Sequence, residues 1–230
     1  MKKTVLITGA SGNLGQACVN AFLNSGYAVI ATVSPGKLLG YDVHGKVEVE
    51  QVDLTNEEDT NAFFDKIAEE TIDCALLLVG GFAMGGIEKT EHEQLQKMFD
   101  LNFFTAYHCA RPLYKKMKQQ KEGGRLVVVG SKPAQSAKDG KASVAYALSK
   151  LLVLELAKLL NATGNSGKVV THAVVPGIID TQANRRSMPD ADFSDWVTPE
   201  AIAENILWLC SDKAAPVRGA VLNLYGNLKE

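Results

Sequence analysis

The strongest constraint on this chain is the regular exchange of two hydrophobic periods along it. Short runs rich in β-branched residues alternate with longer stretches of helical period. TVLIT at 4–8 is apolar almost throughout, as a strand covered on both faces must be. Similar runs recur at 27–33, 46–52, 73–79, 125–130, 168–175 and 220–225. Of these, KVEVEQV at 46–52 alternates and reads as less fully covered. Helices are predicted between them over 12–25, 55–69, 91–117, 143–161 and 198–211. Thr55 and Glu58 have the spacing of a capping box, and Thr198 with Pro199 marks a further helix start. Strands that alternate with helices require crossover connections. The expected architecture is therefore α/β: a doubly wound parallel sheet of about seven strands with helices on both faces. The chain has 230 residues and contains no repeat, low-complexity tract or linker, so a single domain over 1–230 is expected. Residues 177–197 show little period and read as a substrate loop.

Composition narrows the function. Lysine plus arginine number 24 against 26 acidic residues, a net charge of −2. Such a surface lacks the basic excess that neutralises a phosphate backbone, so nucleic acid is not an expected partner. No apolar run approaches a membrane span, and MKKTVLIT breaks too early for a secretory leader. Cys18, Cys74, Cys109 and Cys210 are scattered and read as buried thiols of a reducing, cytoplasmic setting. His44, His92, His108 and His172 are equally dispersed, so no metal site is expected. What remains is a small-molecule ligand.

TGASGNLG at 8–15 follows the first strand and opens a helix. Glycines there allow close backbone approach, and the helix start offers free N–H groups to an anion. The same residues also fit a plain strand-to-helix turn. Gly9, Ser11, Asn13, Leu14 and Gly15 are the candidate cradle for a pyrophosphate. A carboxylate that grips a ribose 2′-hydroxyl is expected at the end of the second strand, where this chain reads ATVSPGK. Thr32, Ser34 and Lys37 can instead bond a 2′-phosphate, which tilts the expected cofactor from NAD to NADP. Asp53, followed by Leu54, ends the third strand and is a candidate for the adenine amino group. Its other reading is a residue that stabilises the start of the next helix.

SVAYALSK at 143–150 sets Tyr146 and Lys150 one helical turn apart on one face. Taken in order with the glycine loop, these residues resemble the short-chain dehydrogenases/reductases over nearly the whole chain. The resemblance implies a Rossmann-type fold, NAD or NADP as cofactor, and hydride transfer. It places Asn102 of DLNFFTAY, Ser131 after VVVG, Tyr146 and Lys150 in the catalytic set. It also places Gly80, Gly81, Pro176, Gly177, Ile179 and Thr181 against the cofactor. Val79-Gly80-Gly81 stands where the wider family carries Asn-Ala-Gly. Tyr146 follows Ser131 by fifteen residues, about two more than is usual there, so Ser136 and Ser143 compete for the serine's place. The stretch 180–196, DTQANRRSMPDADFSDW, with VGGFAMGG at 79–86, resembles the dihydropteridine reductases in particular. This chain lacks the Asp that the animal enzymes carry after the second strand, and it supplies a serine that those lack. The NRxSMP-type segment is also similar to that of generic bacterial members of the wider family.

The implied chemistry is proton donation by Tyr146, with the Lys150 ammonium favouring its phenolate and holding the nicotinamide ribose. Ser131 would steer the acceptor oxygen, and Asn102 would bind a proton-relaying water through a freed carbonyl. Quinonoid dihydropterin or a small carbonyl compound is the expected substrate. The alternative is a dinucleotide-binding sensor or scaffold without turnover, which has no need of a proton donor. LLVLELAKLL at 151–160 exceeds one apolar stripe. One side is expected on the sheet and the other, including Leu154, on a partner copy in a homodimer or homotetramer.

Overall fold

The computed structural model describes residues 2–43, 45, 47–163 and 167–227. His44, and Lys46 at the start of the predicted third strand, lie outside the described residues. The elements, in chain order, begin with β1 (Thr4–Thr8), α1 (Asn13–Asn24), β2 (Ala28–Val33), β3 (Val47–Gln51), α2 (Glu57–Lys66) and β4 (Cys74–Leu77). There follow α3 (His92–Met98), α4 (Thr105–Gln119), β5 (Gly124–Val129), α5 (Lys132–Gln135), α6 (Ala137–Gly140) and α7 (Val144–Ala162). The chain closes with β6 (Val169–Pro176), α8 (Gln182–Ser187), α9 (Pro199–Cys210) and β7 (Val221–Leu224).

All seven strands pair in parallel, in the order β3-β2-β1-β4-β5-β6-β7. The continuous apolar run of β1 follows from its central place. Val5 and Ile7 pack with Phe22 of α1 and with Ile202, Ile206 and Leu209 of α9. Leu6 points to the other face, among Phe63 of α2, Leu113 of α4 and Val153 of α7. β3 lies at the edge, and its alternation leaves Val49 exposed. The chain order reverses between β1 and β4, and ligands of such sheets sit outside the strand ends at that crevice.

Four local expectations are corrected. The cap of α2 is Asn56, whose Oδ1 accepts from the Glu58 and Asp59 N–H groups at 2.8 and 3.1 Å. Thr55 instead donates through its hydroxyl to Asp53, at 2.6 Å. Residues 91–117 are not one helix: a wider π turn, Phe99–Phe104, separates α3 from α4 and carries the buried Asn102. Residues 177–197 are built rather than aperiodic. Thr181 caps α8 through the Asn184 N–H, and the Asp180 N–H donates to Val197 O at 2.8 Å. Leu154 faces the sheet, 6 % exposed; the outward leucines of α7 and its first turns are Leu148, Leu151, Leu152 and Leu159. A charge at Leu154 would therefore disrupt the core rather than an interface.

The four cysteines are free and buried. His172 is fully buried on β6 and accepts the Ala220 N–H at Nδ1, 3.2 Å away. Burial, then Arg125 and Arg218, push its pKa down to about 4, so it is neutral at pH 7. Among the described residues no helix is long and apolar enough to cross a membrane, and no cluster of His, Cys, Asp and Glu has the makings of a metal site.

Candidate active site

The switch point opens into a cleft of about 240 Å³. Of the expected cofactor contacts, Gly9, Ser11, Thr32, Ser34, Asp53, Leu54 and Gly80 line it together, and the others lie outside its lining. Thr55, Leu78, Val79, Leu101 and Thr105 line it too. Sequence reasoning did not assign these to the cofactor, although the i,i+4 spacing of Leu101 and Thr105 puts those two on one helix face. The turn into α1 is set by two glycines. Gly9 adopts φ +67°, and a Cβ on Gly15 would lie 2.3 Å from Gly9 O. Asn13, Leu14 and Gly15 form the first turn of α1, and Gly12 before them offers no side-chain cap. The N–H groups of this turn are available to an anion.

The residues fit a dinucleotide in three further ways. Thr32 Oγ1 is buried at the cleft wall without a hydrogen-bond partner. Ser34 is exposed at the rim, and no carboxylate ends β2. Asp53 lines the cleft, while its Oδ1 accepts from both the N–H and the hydroxyl of Thr55. Asp53 thus holds the turn into α2 as well as facing the cleft.

At the far end of the crevice Lys150 and Asn102 lie around Gly80, and Ser131 lies beside Tyr146. Lys150 is 5 % exposed, and its Nζ donates to the carbonyl of Val129 at 2.9 Å. Desolvation brings its pKa down to about 8. A Cβ on Gly80 would sit 2.6 Å from Asn102 Oδ1 and 3.1 Å from Lys150 Nζ, so Gly80, Asn102 and Lys150 share one contact. Asn102 is 1 % exposed and braces the neighbouring loop residue: its Oδ1 accepts the Gly81 N–H at 3.0 Å, and its Nδ2 donates to Gly81 O at 3.1 Å.

Ser131 follows β5. Its Oγ is buried and makes no hydrogen bond of full geometry. Burial raises the Tyr146 phenol above its usual range, and the Ser131 hydroxyl beside it pulls the other way. The Lys150 ammonium donates to Val129 O and lies against Gly80. Ser136 caps α6 through the Asp139 N–H, and Ser143 precedes α7 with its side chain not used as a cap. Of the three serines, Ser131 is the one beside the phenol. The exposed Phe82 ring meets the Tyr146 ring edge-on, with centroids 4.9 Å apart.

Pro176 ends β6, and Gly177 donates its N–H to Leu224 O. Ile179 bridges to Val197 in parallel, and Thr181 caps α8. The same segment shows what its distinctive residues do. Asn184 Nδ2 donates to Ile179 O at 2.8 Å. Arg185 grips both carboxylate oxygens of Asp180, at 2.6 and 2.7 Å, and stacks on Phe193. Asp192 accepts from Ser194, and Trp196 is buried against Phe193. Most of this stretch builds the loop itself.

The sequence model of a family described as short chain dehydrogenase matches residues 3–192. The chain belongs to the short-chain dehydrogenases. It is an NAD(P)-dependent oxidoreductase of that family, with the family's seven-stranded parallel sheet. It is 26% identical over 246 residues to an acetoacetyl-CoA reductase of Acinetobacter, covering 99% of this chain and 98% of that protein. A dihydropteridine reductase of Dictyostelium discoideum is 25% identical over 232 residues, with 96% and 94% covered. Among solved structures, a short-chain dehydrogenase/reductase family oxidoreductase from Burkholderia thailandensis superposes with a TM-score of 0.85 at 27% identity, covering 99% of this chain and 93% of that one. ElxO with NADP bound gives 0.86 at 25% identity, with 98% of each chain covered.

Proposed function

We propose that this dehydrogenase uses NADPH to reduce a small conjugated acceptor, either a carbonyl compound or a quinonoid dihydropterin, with Tyr146 as the proton donor. The observation that carries this reading is the Ser131 Oγ, buried without a hydrogen-bond partner, beside the half-buried Tyr146 side chain. A buried hydroxyl without a partner costs free energy unless something bonds it, and an acceptor oxygen or nitrogen between the two groups would do so. NADPH, when bound, supplies the hydride. Tyr146, whose phenol is held above its ordinary range by burial, is the proton donor, and it gives that proton to a strongly basic centre. The developing anion of a reduced acceptor is such a centre, so the site favours reduction. The proton passes from the phenol to that atom while Ser131 orients it. The Lys150 ammonium, held by Val129, is available to the nicotinamide ribose.

The preference for NADPH rests on the missing carboxylate after β2 and on Thr32, Ser34 and Lys37 at that corner. Asn13, Leu14, Gly15, Asp53, Leu54, Gly81, Pro176, Gly177, Ile179 and Thr181 complete the proposed cofactor contacts. A homodimer or homotetramer is supported by the outward Leu148, Leu151, Leu152 and Leu159. The test follows the nicotinamide absorbance while NADPH or NADH is offered with quinonoid dihydropterin, acetoacetyl thioesters, ketones and quinones. Turnover that falls at least about a hundredfold in Tyr146→Phe is the expected result. NADPH binding with no acceptor reduced would favour a sensor, and full turnover by Tyr146→Phe would remove the assigned donor.

A further inference from the structure

A hydroxyl that no motif singled out completes the polar core beneath the site. Ser149 is fully buried, one residue before Lys150 on α7. Its Oγ donates to the carbonyl of Tyr146 at 2.8 Å. A serine has one proton to give, so toward any other neighbour Ser149 can only accept. The neighbour is Asn102, whose Nδ2 donates to Ser149 Oγ at 3.0 Å.

This fixes the Asn102 amide. Nδ2 must face Ser149, which leaves Oδ1 to accept the Gly81 N–H while the second proton of Nδ2 reaches Gly81 O. A flipped amide would set NH₂ against the Gly81 N–H and a carbonyl against a hydroxyl whose proton is already spent. The Gly81 peptide is thereby tied through Asn102 and Ser149 to the backbone of Tyr146. Gly80, next to it, lines the cofactor cleft and lies against Lys150 Nζ.

We propose that Ser149 is a positioning residue: through Asn102 it sets the Gly80–Gly81 loop at the height that the nicotinamide end of the cofactor and the Lys150 ammonium both require. It touches neither cofactor nor acceptor. The inference rests on the reading of Tyr146 and Lys150 given above.

The experiment compares Ser149→Ala, Ser149→Thr and Tyr146→Phe with the parent protein. NADPH affinity is measured by quenching of protein fluorescence. The pH profile of kcat is measured with phenanthrenequinone, or with the first acceptor that the screen finds reduced. Ser149→Ala is expected to weaken NADPH binding by about fivefold or more and to move the alkaline limb of the profile, where Lys150 loses its proton. Ser149→Thr, which keeps an acceptor oxygen, is expected to restore both. A merely structural serine would lower the thermal midpoint and leave affinity and profile in place, and that outcome overturns the proposal. If Ser149→Ala does not fold, Ser149→Cys keeps the volume, weakens the acceptor and carries the same comparison. Should Tyr146→Phe turn over normally, the reading of the site itself fails, whereas an inactive Tyr146→Phe beside an unaltered Ser149→Ala removes the role of Ser149 alone.

Discussion

The ammonium of Lys150 is held by the carbonyl of Val129 at 2.9 Å, in a setting that excludes water. The last carbonyl of β5 thus anchors a side chain from the first turns of α7, and the joint lies at the end of the crevice. Burial has a thermodynamic consequence, because the folded pKa of about 8 lies below the unfolded value of 10.5. The unfolded chain therefore binds the extra proton between these values, and the charged form is the one that folding disfavours. The cost is largest below pH 8 and fades as pH rises toward 10.5. Lys150→Met is expected to raise stability at pH 7, by about 1–3 kcal/mol after the lost hydrogen bond is counted, while turnover is lost. Urea titrations at pH 7 and pH 10 check this: the gain should shrink at the higher pH.

Gly80 is the contact between the cofactor cleft and the polar cluster. An added methyl would meet Asn102 Oδ1 at 2.6 Å and Lys150 Nζ at 3.1 Å. Both neighbours are held by hydrogen bonds and cannot retreat freely. Gly80→Ala is expected to cost about 1–3 kcal/mol of stability and to weaken NADPH binding at least about tenfold. Thermal unfolding with and without NADPH measures both, since a bound ligand raises stability with the logarithm of its affinity.

The corner after β2 offers hydroxyls and no carboxylate. A carboxylate there repels a 2′-phosphate and accepts from a 2′-hydroxyl. Ser34→Asp is expected to move the ratio of kcat/KM for NADPH over NADH toward NADH by about tenfold or more. Steady-state rates with each cofactor decide it, and an unchanged ratio would show that the 2′ position lies elsewhere.

Arg185 closes the loop after β6 by pairing with Asp180 and stacking on Phe193. The ion pair holds the Asp180 carboxyl below its usual range, but it lies at the surface, where such pairs add little to global stability. Arg185→Ala is expected to leave the thermal midpoint within about 2 °C of the parent and to raise the KM of the acceptor several-fold. A KM that stays put would mean that the loop does not meet the acceptor.

The alternation of strand and helix was sufficient for the α/β class, because a run such as TVLIT has no polar face to give to water and must lie inside a sheet. The spacing of Tyr146 and Lys150 was legible for a similar reason, since a four-residue interval on a helix fixes a common face whatever surrounds it. The reach of each side chain was not fixed in this way. Leu154 and Leu151 are alike in sequence, yet one packs beneath Gly130 and the other is exposed, because only the docking angle of α7 decides which leucine meets the sheet. Lys150 reaches Val129, and Asn102 reaches Gly81 and Ser149, through bonds between segments at least 21 residues apart. Local period and spacing act through the backbone of one element and can be read along the chain. Desolvation and hydrogen bonding depend on which distant atoms arrive beside a group, and those arrive only when the sheet assembles.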